Sequence, residues 1–306
     1  MVRAVLHPLR PPGLLEALRS VPALELVVPE DANGVMAALE GGTPALITFY
    51  WEDRWLDTEL KWVQAVSAGL EQFPTTELEE RDIRLTSARG VHAPTVAEHA
   101  LALLLALTRS VGRAVRDAGE HRWQSYPSYE LSDLTMGVVG LGMIGERVAA
   151  RAVCLGMRVV GVKRNPNDYT GIAERVYGPT EIIQLCQEAD VLVAALPNTS
   201  ETRGLLGREE LEAIGPGWFI NVGRGSVVDE EALIEVLSDG PLHGAGLDVF
   251  ATEPLPDDSP LWEMENVVMT PHSAWVSDRL PGRLAELIAR NVAAYQGEGE
   301  WVNLVV

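Results

Sequence analysis

Short apolar runs that alternate with helix-like segments are the feature that most limits what this chain can fold into. They cover residues 3–9, 23–29, 44–50, 61–67 and 82–88, then, after Trp123, 135–142, 158–162, 190–196, 218–223, 244–250 and 267–270. Such short runs are typical of parallel strands buried on both faces. Strands that alternate with helices predict an α/β fold with doubly wound parallel sheets. The second set predicts a six-stranded sheet of the kind that binds dinucleotides.

Residues 94–119 separate the two sets of strands. Their long, mostly apolar pattern predicts one continuous helix that connects two domains. The segment after Pro281 predicts an amphipathic helix, which we expect to pack back on the first domain. The predicted domains are therefore 1–93 together with 278–306, and 94–277.

The charge balance limits the partners of the chain. There are 24 Lys and Arg residues against 44 Asp and Glu residues, which gives a formal net charge of −20. Nucleic-acid binding needs a basic footprint, and an anionic membrane surface would repel this chain. The longest apolar run, Ala100 to Leu107, is far shorter than the about 20 residues of a bilayer span. We therefore expect neither a nucleic-acid partner nor a membrane.

The chain has only two cysteines, Cys154 and Cys186. Two thiols are too few for a disulfide framework in a chain of this length, and this usage fits a cytoplasmic protein. Both cysteines lie in apolar, helix-like stretches, so we expect both to be buried. We expect no metal site.

The sequence GLGMIG contains the glycines of a dinucleotide fingerprint, Gly140, Gly142 and Gly145. A strand precedes it and a helix follows, and this context is what makes so short a motif specific. Gly140 is expected to form the tight turn, Gly142 to let the backbone approach a pyrophosphate, and Gly145 to let helix and strand pack closely. Met143 and Ile144 complete the predicted cofactor turn. The alternative is a glycine-rich turn that binds nothing.

Two cations stand where a ribose-binding carboxylate is expected. An NAD site usually has Asp or Glu at the end of the second strand, about 20 residues after the motif. Here Lys163 and Arg164 hold that place. Cations suit the 2′-phosphate of NADP(H), so the sequence favours NADP(H) over NAD(H). The alternative is a solvated basic turn.

Three residue types suited to proton transfer and to the binding of a carboxylate follow predicted strands in the last third of the chain. Arg224 stands in NVGRG, Glu253 in DVFATEPL and His272 in TPHSAW. A histidine can donate a proton, a carboxylate can orient it, and a guanidinium can bind a carboxylate through two hydrogen bonds. Taken singly, Glu253 fits a turn, Arg224 a surface position and His272 a structural role. The carboxyl ends of parallel strands meet at one edge of a sheet, which favours the catalytic interpretation.

Several motifs in order give the chain a family resemblance. APTVAEHALALLLALTR, GLGMIG, LPNTSETRGLL, NVGRG, GLDVFATEPL and TPHSAW resemble the D-2-hydroxyacid dehydrogenases, in particular the short glyoxylate/hydroxypyruvate reductases. The resemblance implies a flavodoxin-like substrate (catalytic) domain and a Rossmann cofactor domain, with the active site in the cleft. It also implies that Arg224 binds the substrate carboxylate and polarises the 2-oxo group. His272 would be the general acid, and Glu253 its hydrogen-bond partner.

The resemblance assigns further residues. Asp248 would contact the nicotinamide carboxamide, and the backbone N–H groups of Ala68 and Gly69 would bind the substrate carboxylate. Trp275 would line the substrate pocket. The remaining residues expected to border the cofactor are Leu196, Pro197, Thr202 and Val222.

Some residues keep two interpretations. Tyr50, Trp51 and Arg54 either shape the pocket for the substrate side chain or form a structural aromatic cluster. The other histidines, His99 among them, are expected to be structural or on the surface.

The function expected is NAD(P)H-dependent reduction of a small 2-oxo acid to the D-2-hydroxy acid, with NADPH favoured, by a homodimer. One alternative is a phosphoglycerate- or phosphite-type dehydrogenase. Another is a catalytically weak protein that senses the dinucleotide and assembles with partners.

Overall fold

The computed structural model describes all 306 residues and divides the chain into two compact units. Unit 1 consists of Met1–His92 and Val276–Val306, and unit 2 of Ala93–Trp275. Each unit contains one parallel sheet of its own. Every apolar run identified in the sequence holds a strand.

Unit 1 has a five-stranded sheet in the order β2-β1-β3-β4-β5. This is the flavodoxin-like order, which confirms the expectation for this domain. All of its strand pairs are parallel. The strands are β1 (Val2–Leu6), β2 (Leu24–Val27), β3 (Ala45–Thr48), β4 (Trp62–Ala65) and β5 (Arg84–Thr86), and the helices are α1 (Leu14–Leu18), α2 (Ala32–Glu40), α3 (Thr75–Glu80) and α10 (Leu280–Tyr295).

The C-terminal helix α10 completes one side of unit 1, as its amphipathic pattern predicts. Its buried face includes Leu280, Leu284 and Ile288, which join the apolar residues of β1 and α1 in one core. A buried hydrogen bond from Asn291 Nδ2 to Gln64 Oε1, 2.8 Å long, ties the helix to β4. The tail therefore belongs to the first domain.

Unit 2 has a seven-stranded parallel sheet in the order β12-β11-β10-β9-β6-β7-β8. This is the Rossmann order extended by one strand. The strands are β6 (Thr135–Val139), β7 (Arg158–Val162), β8 (Arg175–Tyr177), β9 (Val191–Ala194), β10 (Trp218–Asn221), β11 (Gly244–Leu247) and β12 (Val267–Met269). The predicted count of six strands was wrong because β8, a partly exposed edge strand of three residues, lacks an apolar run.

The predicted helix over 94–119 is two helices. A break at Ser110, whose backbone is left-handed (φ 54°), separates α4 from α5. The Ser110 hydroxyl donates to the carbonyl of Pro127 (2.8 Å), which holds the break in place. The helices of unit 2 are α4 (Ala93–Thr108), α5 (Val111–Gly119), α6 (Gly145–Cys154), α7 (Ile182–Glu188), α8 (Arg208–Ala213) and α9 (Glu230–Asp239). Short 3-10 turns cover Asp53–Asp57, Pro166–Asp168, Pro179–Glu181, Gly225–Val227 and Pro260–Glu263.

The helix α4 packs directly on β11. A Cβ atom at Gly246 would lie 2.8 Å from Leu103 Cβ, so only a glycine lets the helix come this close. None of the helices in the structure has both the length and the apolar character needed to span a bilayer.

The two cysteines differ. Cys186 is buried in α7, and this burial raises the pKa of its thiol to about 12. Cys154 is exposed at the end of α6, so the expectation that both are buried was wrong for this residue.

Candidate active site

The glycine turn between β6 and α6 has the shape that a dinucleotide phosphate requires. Gly140 has a φ of 104°, and a Cβ there would lie 2.7 Å from Leu196 Cδ2. A Cβ at Gly145 would overlap the carbonyl of Gly140 and lie 3.0 Å from Val138 Cγ1, so helix and strand are in close contact. At Gly142 nothing lies within 4 Å of the Cβ position, so this backbone is open to a ligand. The residues present therefore fit a pyrophosphate at the N-terminus of α6.

The two cations at the end of β7 lie beside this turn. Lys163 Nζ donates to the carbonyl of Leu141 (3.3 Å), and Arg164 is exposed. The Lys163 ammonium also lies 5.4 Å from the ring centroid of Tyr169, whose hydroxyl donates to Glu146 Oε2 (3.2 Å). Sequence reasoning missed Tyr169, because no motif places a functional residue at this distance after the strand. Its ring and the Leu141 carbonyl hold Lys163 next to the glycine turn.

The loop after β9 borders the same turn. Leu196 lies behind Gly140. The Thr202 hydroxyl donates to the carbonyl of Pro197 (2.6 Å) and accepts from the N–H of Thr199 (2.9 Å), so this hydroxyl closes the loop on itself. Val222 is buried, Ile144 is half-buried and Met143 is exposed. Contacts of these residues with a cofactor stay predictions.

Arg224 lies in the loop after β10, and its neighbours explain the NVGRG sequence. Asn221 folds the loop: its Oδ1 accepts from the N–H of Gly223 (3.1 Å), and its Nδ2 donates to the carbonyl of Arg224 (3.1 Å). A Cβ at Gly225 would overlap the backbone of Phe250, so this loop lies directly against the one that follows β11. The Arg224 side chain is half-buried, and its Nη1 donates to the carbonyl of Gly223 (2.9 Å).

His272 and Glu253 form a hydrogen-bonded pair. His272 Nδ1 lies 2.7 Å from Glu253 Oε2, and the side chains are 41% and 35% exposed. The other carboxylate oxygen, Oε1, accepts from the N–H of Phe250 (3.1 Å), which fixes the carboxylate. A carboxylate can only accept, so Nδ1 carries the proton and Nε2 is the ring nitrogen that remains for a substrate. Through Phe250, this pair adjoins the Arg224 loop.

Asp248 holds the segment that carries His272. Its side chain is buried, with 2% exposure. Oδ1 accepts from the Thr270 hydroxyl (2.6 Å) and from the N–H of Ser273 (2.9 Å), and Oδ2 accepts from the N–H of Ala274 (3.0 Å). Sequence reasoning did not foresee this role. A contact of Asp248 with a nicotinamide stays a prediction.

His99 joins this group, although its sequence position gave no reason to expect it. Its Nε2 lies 2.8 Å from Thr270 Oγ1 and 3.5 Å from Asp248 Oδ1. The partners are 171 residues apart along the chain, so no local spacing could reveal the contact.

The turn over Ala68 and Gly69 lies in unit 1, after β4. The Ser67 hydroxyl donates to the carbonyl of Gly69 (2.7 Å), and Ala68 is exposed. The binding of a substrate carboxylate by the N–H groups of Ala68 and Gly69 stays a prediction. Trp275, the last residue of unit 2, is exposed.

An open aromatic recess of about 540 Å³ lies in unit 1. It is lined by Phe49, Tyr50, Trp51, Glu71 and Gln72. Trp51 also packs edge-on against the buried Trp55, with ring centroids 5.5 Å apart. Arg54 does not line the recess, and its Nε pairs with Glu52 (2.6 Å). Both earlier interpretations of Tyr50 and Trp51 therefore stay open.

A family model described as "D-isomer specific 2-hydroxyacid dehydrogenase, NAD binding domain" matches residues 101–274. This range includes the glycine turn, Arg224, Glu253 and His272. The chain belongs to the D-isomer specific 2-hydroxyacid dehydrogenases. The resemblance that the motifs carry is thereby confirmed.

Individual relatives agree with this family. A glyoxylate reductase of Korarchaeum cryptofilum is 36% identical over 248 residues, which cover 78% of this chain and 74% of that protein. A D-3-phosphoglycerate dehydrogenase of Mycobacterium leprae is 34% identical over 90% of this chain, but the match spans 51% of that protein. Among solved structures, the NADPH-dependent glyoxylate/hydroxypyruvate reductase of Sinorhizobium meliloti in complex with citrate has a TM-score of 0.86 at 29% identity, covering 100% of this chain and 98% of that one.

Membership of the 2-hydroxyacid dehydrogenases decides the reaction class. The chain is an NAD(P)-dependent oxidoreductase that interconverts 2-oxo and 2-hydroxy acids. A nicotinamide dinucleotide is its cofactor, and the glycine turn of unit 2 fits it.

Proposed function

We propose that the chain reduces a small 2-oxo acid of the glyoxylate or hydroxypyruvate kind to the D-2-hydroxy acid, with NADPH as the preferred reductant. The observation that carries the proposal is the His272–Glu253 pair, 2.7 Å apart and next to the Arg224 loop. The glyoxylate reductase and the NADPH-dependent glyoxylate/hydroxypyruvate reductase among the relatives support the substrate class.

Each of these side chains supplies what the reaction needs. When bound, a reduced nicotinamide would supply the hydride for the carbonyl carbon. His272 donates a proton from Nε2 to the carbonyl oxygen, while Glu253 holds the Nδ1 proton and stabilises the imidazolium on which the proton transfer depends. The Arg224 guanidinium binds the substrate carboxylate through two hydrogen bonds and draws electron density from the 2-oxo group.

Lys163 and Arg164 favour NADPH because no carboxylate stands at the end of β7 to accept ribose hydroxyls. A phosphomonoester carries about −1.5 to −2 charges at neutral pH. One charge pair at about 4 Å contributes up to roughly 4 kcal/mol near a surface, before screening and desolvation. Even a fraction of that free energy gives a tenfold preference.

The proposal also includes a homodimer built on unit 2. Val111 and Val115 lie one turn apart on α5 and are exposed, and Trp123 shortly after the helix is exposed in full. Exposed apolar side chains of this size, close in sequence, are typical of contact surfaces between proteins.

Initial rates of cofactor oxidation test the function. NADPH and NADH are each supplied with glyoxylate, hydroxypyruvate, pyruvate, longer 2-oxo acids and phosphohydroxypyruvate. We expect turnover with glyoxylate and hydroxypyruvate, and kcat/KM at least about tenfold higher with NADPH. The double variant Lys163→Ala/Arg164→Ala should lose that preference, while Lys61→Ala, which removes a lysine from unit 1, should keep it.

Other outcomes separate the alternatives. A preference for phosphohydroxypyruvate would replace the substrate with that of a phosphoglycerate-type dehydrogenase. A preference for NADH would contradict the role of Lys163 and Arg164. Tight cofactor binding without turnover of any 2-oxo acid would favour a sensing protein.

A further inference from the structure

His99 stands on α4 and reaches the segment between β12 and His272. Its Nε2 lies 2.8 Å from the hydroxyl of Thr270, two residues before His272. The side chain is largely buried, with 23% exposure. Since α4 packs directly on β11 through Gly246, His99 projects from a firmly held element.

The direction of the hydrogen bonds follows from their chemistry. The carboxylate of Asp248 can only accept, so the Thr270 hydroxyl, at 2.6 Å, donates its single proton to it. The hydroxyl oxygen then accepts from His99, and Nε2 must carry a proton. A chain therefore runs from His99 through Thr270 to Asp248, which also receives the N–H groups of Ser273 and Ala274 (2.9 and 3.0 Å).

We propose that His99 is a positioning residue for the reductase reaction: its donated hydrogen bond fixes the segment 270–274 and thereby the place of His272. The inference rests on the proposed function, in which His272 is the general acid. His272 itself has left-handed backbone (φ 48°), and its N–H donates to the carbonyl of Asp248 (2.8 Å). Such a conformation is uncommon for a non-glycine residue, and contacts with the surroundings stabilise it. The chain from His99 is part of what holds it.

The decisive comparison is between two replacements of His99. His99→Gln keeps an N–H donor near the position of Nε2, and His99→Leu fills similar volume without a donor. Thr270→Val removes the hydroxyl from the middle of the chain at nearly the same size. His121→Leu is the matched control, because His121 is an exposed histidine of unit 2 outside this group.

We expect His99→Leu and Thr270→Val each to lower kcat with NADPH by about 10- to 100-fold, since displacing a catalytic group by about 1 Å has an effect of this size. The KM for glyoxylate and the Kd for NADPH should stay within about threefold. His99→Gln should keep most of kcat. The double variant His99→Leu/Thr270→Val should be no worse than either single variant, because the two residues act in one chain.

Hydrogen exchange of the amides of Ser273 and Ala274 gives a readout that needs no turnover. It should become faster in His99→Leu and stay unchanged in His99→Gln and His121→Leu. Wild-type kcat in His99→Leu, equal losses in His99→Gln and His99→Leu, or unchanged exchange in His99→Leu would each overturn the inference. If the wild-type protein turned over no 2-oxo acid, but amide exchange of Ser273 and Ala274 still became faster in His99→Leu, only the proposed function would be overturned.

Discussion

At the scale of single residues, few side chains of the proposed site act on the substrate directly, and several other groups hold those side chains in place. His272 has one side-chain partner, Glu253, and that carboxylate is fixed by the N–H of Phe250. Such support matters because a general acid must be placed within hydrogen-bond reach of the oxygen that it protonates.

Replacement of the proton donor is the first prediction at this scale. His272→Ala should lower kcat by about 10²–10⁴-fold, the usual contribution of a positioned general acid. The Kd for NADPH should be unchanged, because the strands β9, β10 and β11 separate β12, which precedes His272, from β6, which precedes the glycine turn. Stopped-flow or steady-state rates together with cofactor titration measure both quantities. Glu253→Gln, which keeps the size of the side chain but removes its charge, should give an intermediate loss.

A kcat of His272→Ala close to that of the wild-type protein would contradict the assignment of His272 as the general acid. His121→Ala serves as the control for replacing an exposed histidine of the same unit.

Residues also differ in how far the sequence reveals them. Arg224, Glu253 and His272 are identifiable because each follows a strand in a short motif, and parallel strands place such positions at one edge. His99 and Tyr169 are not identifiable in this way. His99 acts through a partner 171 residues away, and Tyr169 contacts Lys163 through the face of its ring. Contacts of this kind depend on tertiary packing, which no local pattern records.

At the scale of elements, the turn between β6 and α6 contains one glycine that is needed for folding and another that is needed for binding. A Cβ at Gly145 would overlap the carbonyl of Gly140, whereas a Cβ at Gly142 would meet nothing within 4 Å. The same chemical change, Gly→Ala, therefore probes two different requirements of one turn.

We predict opposite outcomes for these two variants. Gly145→Ala should destabilise the protein by about 1–3 kcal/mol, as overpacking does, and lower Tm by several degrees. Gly142→Ala should leave Tm nearly unchanged but raise the Kd for NADPH by about tenfold or more, because the methyl group occupies the space that a pyrophosphate needs. Thermal unfolding and fluorescence titration measure the two effects. A lowered Tm in Gly142→Ala with unchanged Kd would contradict the placement of the phosphate.

Elements also show where the sequence pattern stops being informative. The strands are predictable because apolar runs of strand length are buried on both faces. The edge strand β8 has only Val176 between Arg175 and Tyr177, and Arg175 pairs instead with Glu188 (3.1 Å). The break between α4 and α5 was missed because Ser110 is an ordinary helix residue by propensity, and its left-handed backbone depends on the hydrogen bond to Pro127.

At the scale of the whole molecule, two features have opposite effects on the association of two copies of the chain. They are the net charge of −20 and the exposed apolar residues of α5 and of the segment after it. Two copies of the chain repel each other through their charge, whereas the burial of Val111, Val115 and Trp123 away from water favours association. Salt screens the repulsion between the charges, because the Debye length falls from about 30 Å at 0.01 M to about 3 Å at 1 M.

The proposed homodimer should therefore become tighter as salt is added. Sedimentation velocity of the 33.2 kDa chain should show a larger dimer fraction at about 1 M NaCl than at about 0.01 M. Trp123→Glu should shift the protein to monomer at both concentrations, because a charge replaces the largest exposed apolar side chain of the surface. Leu9→Glu, which changes an exposed apolar residue of unit 1, should not. A dimer that weakens with salt, or that survives Trp123→Glu, would mean that charged contacts or another surface joins the two copies.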